Sequence, residues 1–237
     1  MTLANVHSIE TFGSVDGPGL RYILFLKGCR LRCAFCHNAD TWDLSSEDQR
    51  SADEILDHAE RYRSYWGSEG GITVSGGEPL LQPHFLISLF KELKKRKIYT
   101  AIDTSGMVEL TDTIKEVLSL TDLVLLDIKH IDSKKCKDLV GFENTRELKF
   151  AKYLSDNNIP IWIRQVLVPG YTDDENDLLK LKDFIKSLKS VERVEILPYH
   201  NLGEYKWKEL NLEYALKDVR QANIDDVNRA KKILEIS

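Results

Sequence analysis

Cys29, Cys33 and Cys36 fall within the short stretch Gly28-Cys29-Arg30-Leu31-Arg32-Cys33-Ala34-Phe35-Cys36-His37-Asn38. Thiolates are soft ligands that favour zinc or iron–sulfur clusters over hard cations, and a closed all-cysteine site takes four of them. No fourth cysteine is near. Cys136 lies in the polar run Ser133-Lys134-Lys135-Cys136-Lys137, which reads as a solvated surface segment. One coordination position is therefore left to something other than a cysteine. Three thiolates on a four-iron cluster leave one iron open to a small molecule, so the triplet points to chemistry as well as electron transfer. The competing use of the same ligands is a zinc site completed by His37 or another histidine, in a non-catalytic zinc-binding or electron-carrier module. A disulfide fits poorly, because nothing in the sequence indicates secretion.

The cysteine loop follows the apolar run Leu20-Arg21-Tyr22-Ile23-Leu24-Phe25-Leu26, a buried strand that ends at Gly28. Further strand patterns cover Gly71 to Ser75, Ile98 to Ile102, Leu123 to Leu126, Ile159 to Val168 and Val191 to Leu197. Helical patterns cover Ser51 to Tyr65, Phe85 to Leu93, Leu110 to Leu118, Thr145 to Leu154, Asp174 to Leu188 and Asp225 to Leu234. Ser51 is the N-cap of the first of these. His7 to Phe12 reads as a small edge strand or hairpin. Strand and helix alternate with short connections, the pattern of an α/β fold with a parallel sheet, and alternation alone does not separate an open sheet from a barrel. In either form the cysteine loop lies at the C-terminal edge of the strands, where such folds bind ligands.

Polar groups recur at that edge. Ser75-Gly76-Gly77-Glu78-Pro79 follows the second strand, and its two glycines either form a plain tight turn or let a ligand approach the backbone. Asp103-Thr104-Ser105-Gly106 follows the third strand and Asp127-Ile128-Lys129 the fourth. Asp103 is a candidate binding residue at the mouth on which parallel strands converge, or instead a helix or turn cap. Asp103 and Asp127 together present two carboxylates that an additional cation would balance. Asp16, in the turn-rich loop Gly13 to Gly19, and Arg164, in the strand Ile161-Trp162-Ile163-Arg164-Gln165, offer charge for holding a substrate peptide. Arg164 serves equally well in a buried salt bridge.

The 237 residues are within the size of one domain and carry a net charge of −5, which argues against a nucleic-acid binder. The N-terminal residues lack the pattern of a signal peptide, and a cytoplasmic protein is expected.

Taken with Ser14-Val15-Asp16-Gly17-Pro18-Gly19, Thr41-Trp42-Asp43, Ser75-Gly76-Gly77-Glu78 and Leu197-Pro198-Tyr199-His200, the cysteine triplet resembles that of the radical S-adenosylmethionine enzymes, in particular the activases of glycyl radical enzymes. The resemblance runs over nearly the whole chain. It implies a single domain over residues 1–237, folded as a partial (β/α)6-type barrel with parallel strands. It implies a [4Fe-4S] cluster on Cys29, Cys33 and Cys36, with S-adenosylmethionine on the open iron. Carried over residue by residue, Gly76, Gly77 and Glu78 receive the methionine ammonium, and Lys129, beside Asp127 and Ile128, its carboxylate. His200 contacts the cofactor, and Phe35 flanks the adenine with the Cys36 and His37 backbone completing the contact. The implied substrate is a glycine of pyruvate formate-lyase and the implied electron donor a reduced flavodoxin. Activation of another glycyl radical enzyme, or small-molecule chemistry as in deazapurine biosynthesis, remain alternatives.

Overall fold

The structure, a computed structural model, describes residues 2–236. Hydrogen-bonded strands run in the order β3-β1-β2-β4-β5-β6-β7-β8, where β1 is Leu3–Gly13, β2 Arg21–Leu26, β3 Gln49–Ser51, β4 Gly71–Gly76, β5 Tyr99–Thr104, β6 Leu123–Asp127, β7 Ile161–Leu167 and β8 Val191–Pro198. β2 pairs in parallel with β4, β4 with β5, and β7 with β8. The short edge strand expected at His7 to Phe12 is longer and lies inside the order. β1 runs antiparallel to both β2 and β3, so the parallel strands carry an antiparallel extension at their N-terminal side.

Helices connect the parallel strands as the apolar periodicity required. α1 (Ala52–Ala59) begins at a capping box, in which the Glu54 N–H donates to Ser51 Oγ at 3.3 Å and the Ser51 N–H to Glu54 Oε2 at 2.7 Å. The helical expectation to Tyr65 holds only to Ala59; Glu60–Tyr65 tightens into a 3-10 helix. α2 (Pro83–Lys95) buries Phe85, Leu86, Leu89, Phe90 and Leu93. α3 (Asp112–Ser119) starts at Thr111, whose hydroxyl accepts from the Ile114 N–H. α4 (Ser133–Val140), α5 (Thr145–Asp156), α6 (Glu175–Lys186), α7 (Glu204–Glu209) and α8 (Ile224–Leu234) follow.

α4 corrects the reading of Ser133 to Lys137 as a solvated segment. Asp132 accepts from the Lys135 N–H as its N-cap, and the helix buries Cys136, Leu139 and Val140 under an exposed lysine face. Cys136 is wholly buried, and burial pushes its thiol up to about 12, with the nearby Glu147 adding to the rise.

The chain packs as two compact units. One takes the residues up to Arg30, Thr41–Thr104 and Val108–Leu125; the other takes Leu31–Asp40, Ser105–Met107 and the residues from Leu126 onward. In the first, β4 is buried over Gly71 to Ser75, as expected of a parallel strand covered on both faces. In the second, β7 buries Ile161, Ile163, Arg164, Gln165 and Leu167, whereas β8, last in the order, is largely exposed or half-buried. Among the described residues no helix is long and apolar enough to cross a membrane.

Candidate active site

In the first unit β2 delivers Gly28, with φ +100°, and then Cys29. Backbone bonds fix this corner: the Gly28 N–H donates to Thr41 O at 2.7 Å and the Cys29 N–H to Trp42 O at 3.2 Å. The segment after β4 packs against it. The Gly77 N–H donates to Leu26 O at 2.9 Å and the Glu78 N–H to Gly28 O at 2.7 Å. A Cβ on Gly77 would stand 2.4 Å from Gly28 O and 3.2 Å from Cys29 Cβ, and one on Gly76, which has φ +121°, 2.2 Å from Leu26 O. These glycines are thus required by the close approach of two backbone segments, and Gly77 seats the cysteine corner directly.

Glu78 is buried, and its Oε1 accepts from Thr104 Oγ1 at 2.6 Å and from the Leu80 N–H at 3.2 Å. It caps the 3-10 turn Pro79–Leu81 as well as facing the strand ends. Asp103 accepts from Ser75 Oγ at 2.8 Å, and the cap of α3 is Thr111. Asp16 is tied to β4 through its carbonyl, which accepts from Thr73 Oγ1 at 2.7 Å. Thr73 in turn accepts from Arg21 Nε at 2.9 Å, and Arg21 Nη2 donates to Ile72 O at 2.7 Å. Arg21 was legible only as part of an apolar strand, yet it is a fully buried guanidinium whose pKa burial lowers to about 10.

The second unit holds Cys33, buried, and Cys36, half-buried. The Cys36 N–H donates to Cys33 O at 3.0 Å. Next to Cys36, the His37 and His200 rings stack at 4.2 Å with 28° between their planes, and His37 Nε2–H donates to His200 O at 2.9 Å. Burial, with His37 adding to it, lowers the pKa of His200, and its buried Nδ1 has no hydrogen-bond partner. Residues that the sequence left unmarked complete this wall. Trp207, on α7, donates its indole N–H to Cys36 O at 2.8 Å, and Lys206 Nζ reaches Asn38 Oδ1 at 2.9 Å and Asp40 Oδ2 at 3.0 Å. An alternating tryptophan and lysine in so short a helix gives no periodic signal, although a tryptophan shortly after a candidate cofactor histidine was a lead.

At the end of β6, Asp127 is flanked by two cations: Arg164 Nε at 3.0 Å from Oδ1 and Lys129 Nζ at 2.7 Å from Oδ2. Burial alone would raise this carboxyl, but Arg164 and Lys129 outweigh it and hold Asp127 below the usual carboxylate range. At Asp127, then, the balancing charge expected from an additional cation is supplied by side chains. Of the two readings of Arg164, the structure displays the buried salt bridge. Lys129 Nζ also lies 5.6 Å from the centroid of the buried Phe35 ring. The Ile128 N–H donates to Arg164 O at 2.9 Å, and the Lys129 N–H donates to Glu147 Oε1 at 2.8 Å. Glu147 is fully buried, its Oε2 has no hydrogen-bond partner, and burial drives its pKa well above the carboxylate range. Burial thus favours the neutral form of this acid behind the charged triplet, and no local sequence pattern marks it.

In the first unit a thiol beside an accepting carboxylate, and in the second two thiols, an unpartnered imidazole nitrogen and a lysine held in place, are donors of the kinds that an iron–sulfur cluster and an amino-acid-bearing cofactor take. Among the described residues, no three His, Cys, Asp or Glu side chains are gathered to hold a single metal ion.

Residues 23–181 match the model of the radical SAM superfamily. The pyruvate formate-lyase-activating enzyme of Staphylococcus epidermidis is 50% identical over 244 aligned positions, covering 100% of this chain and 97% of that protein. The enzyme of the same name from Listeria monocytogenes is 47% identical, covering 99% and 97%. Among solved structures, a domain of the pyruvate-formate lyase-activating enzyme from Bacteroides vulgatus superposes with a TM-score of 0.59 at 28% identity, covering 70% of this chain and 93% of that one. Streptococcus suis SuiB bound to S-adenosylmethionine superposes at 0.63 with 20% identity over 87% of this chain and 44% of that one, a likeness of fold alone.

Proposed function

The chain belongs to the pyruvate formate-lyase-activating enzymes of the radical SAM superfamily, and from that premise we infer how its residues serve the reaction. It activates pyruvate formate-lyase by radical SAM chemistry, with a [4Fe-4S] cluster and S-adenosylmethionine as cofactors. When bound, these supply a 5′-deoxyadenosyl radical that takes a hydrogen atom from a glycine of the partner enzyme.

Cys29, Cys33 and Cys36 hold the cluster, and the observation that carries the assignment is their position directly after β2, with the fourth cysteine, Cys136, sealed in a core. Gly77 works by seating the Cys29 corner, and Glu78 with the neighbouring backbone accepts from the cofactor's ammonium. Lys129 presents its ammonium to the cofactor's carboxylate, sharing it with Asp127. His200 offers Nδ1, while His37 keeps the imidazole stacked. Trp207 shields Cys36 from water on the α7 side. Arg164 and Asp16 remain the candidates for the substrate peptide, with Arg164 acting chiefly through Asp127. A reduced flavodoxin as electron donor and a cytoplasmic setting complete the reading, since thiolate-bound iron needs reducing surroundings.

Serine replacement of the four cysteines tests the assignment. Cys29→Ser, Cys33→Ser and Cys36→Ser are each expected to lose the cluster absorption and the glycyl radical signal that anaerobic electron paramagnetic resonance reads on pyruvate formate-lyase. Cys136→Ser is expected to keep both. Iron loss in Cys136→Ser alone, or an intact cluster in any of the other three, overturns it.

A further inference from the structure

The cluster loop is a basic segment of an acidic protein. The chain carries a net charge of −5, yet Lys27-Gly28-Cys29-Arg30-Leu31-Arg32 contains three cations and no acid. In the second unit α4 sits on the later part of this loop. The Arg32 N–H donates to Val140 O at 3.0 Å and the Ala34 N–H to Leu139 O at 2.9 Å, so the end of α4 is joined to the backbone on both sides of Cys33.

The residues exposed on and beside that join include four cations and one large aromatic. Arg32, Lys134 and Lys137 are exposed, and so is Arg146 in the first turn of α5. α4 ends at Gly141, whose φ of +90° turns the chain outward and leaves Phe142 43% exposed. Asp138 and Glu143 are the exposed acids nearby in sequence, and Glu143 is already paired with Lys137 at 3.5 Å. An exposed phenylalanine on a segment with exposed arginine and lysine offers the parts of an interface: an aromatic anchor, and cations whose charge selects and steers the partner.

We propose that this face, Phe142 with Arg32, Lys134, Lys137 and Arg146, docks the acidic one-electron carrier that reduces the cluster. The proposal rests on the function inferred above, in which each cleavage of S-adenosylmethionine consumes one electron. The carrier leaves oxidised by one electron, and the cofactor's sulfonium carbon–sulfur bond breaks to methionine and the 5′-deoxyadenosyl radical. The position of the face selects a carrier over the protein substrate. Electron transfer weakens steeply with distance, so a donor gains most by seating on the loop that holds the cluster, whereas the substrate glycine must reach the cofactor. The charge selects an acidic carrier such as a flavodoxin or a ferredoxin.

Phe142→Ala and the double replacement Lys137→Glu with Arg146→Glu test the face, because all three side chains are exposed and lie outside the cofactor residues. With the cluster-loaded protein, anaerobic calorimetry against flavodoxin and ferredoxin at low salt is expected to show affinity falling roughly tenfold or more in both variants. Wild-type affinity should fall as salt is raised. The rate at which the carrier bleaches the cluster absorption should fall in step, while reduction by dithionite and affinity for S-adenosylmethionine stay at the wild-type level. Unchanged carrier affinity in both variants, or no wild-type binding to either carrier, overturns the proposal. So does weakened binding of pyruvate formate-lyase with carrier binding intact, which would give the face to the substrate. A wild-type protein that fails to cleave the cofactor even with dithionite removes the inferred function, and the docking proposal with it.

Discussion

The segments after β4 and after β6 both leave the C-terminal end of a strand, and they keep their shapes by opposite means. Ser75 to Glu78 is held by backbone against backbone: Gly77 and Glu78 donate to Leu26 O and Gly28 O, and there is no room for a Cβ at Gly77. Asp127 to Lys129 is held by side chains: two cations on Asp127, and the buried carboxyl of Glu147 accepting from the Lys129 N–H. The first arrangement fixes position by excluded volume and tolerates no added atom. The second fixes charge, and fails when one partner is removed.

The largest loss of iron is expected where volume is the constraint. Gly77→Ala puts a methyl group 2.4 Å from Gly28 O, a backbone atom that cannot swing aside as a side chain would. Forced overpacking of this kind costs about 1–3 kcal/mol, and the strain falls on the corner carrying Cys29. Iron bound per chain after anaerobic reconstitution should drop sharply. Gly67→Ala is the contrast: its Cβ meets nothing within 4 Å, so only the strain of φ +61° remains and iron content should be unchanged. Full iron loading in Gly77→Ala would show that the two backbones can part without harm, and the comparison would lose its first half.

Where charge is the constraint, Arg164→Ala is the sharper cut. The guanidinium is 9% exposed, and its removal leaves Asp127 with Lys129 alone. Breaking a buried pair typically costs about 3–5 kcal/mol, which chemical denaturation would read. Lys129 is then drawn more fully to Asp127, so affinity for S-adenosylmethionine should fall with the cluster intact. The pH dependence follows from the lowered pKa of Asp127. A depressed carboxyl adds stability that is present above the unfolded value, near pH 3.9, and is lost as pH falls through the folded value. Arg164→Ala raises the folded value, so its acid unfolding midpoint should move to higher pH. Wild-type acid stability and cofactor affinity in this variant would separate Arg164 from the Lys129 site and return it to the substrate peptide.

The sequence exposed the volume-limited region better than the charged one. Cysteine spacing, the Gly-Gly pair and the apolar strand before Gly28 are local patterns, and local patterns carry glycine and ligand chemistry well. Strand and helix order was legible for the same reason: β6 is a nearly continuous apolar run, β4 carries the β-branched Ile72, Thr73 and Val74 between glycines, and α2 repeats its buried face every three to four residues. What stayed hidden depends on partners distant in the chain. Glu147 meets Lys129, Trp207 meets Cys36 and Arg21 meets Thr73, each across a separation no periodicity encodes. α4 was hidden by composition, since its lysines mask three buried positions, although Asp132 at its N-cap was a readable sign.

Glu147 gives an expected effect of the opposite sign, a replacement that stabilises the fold. Its carboxyl is fully buried beside Asp127, and burial raises its pKa well above the usual value, so the folded chain holds a proton that the unfolded chain releases above about pH 4.3. Between that pH and the folded pKa the native state binds more protons than the unfolded one, and stability therefore falls as pH rises. Glutamine keeps an oxygen that accepts from the Lys129 N–H and has no proton to lose. Glu147→Gln should thus be more stable than wild type at pH 7, with the difference vanishing below about pH 4, as paired denaturant titrations would show. Its affinity for S-adenosylmethionine should stay at the wild-type level, whereas Glu147→Leu, which lacks the acceptor, should bind the cofactor more weakly. A Gln variant destabilised at pH 7 would mean that Glu147 is ionised in the fold. The segment after β6 would then be a four-charge network in place of three charges and a neutral acid, and its contrast with the segment after β4 would deepen.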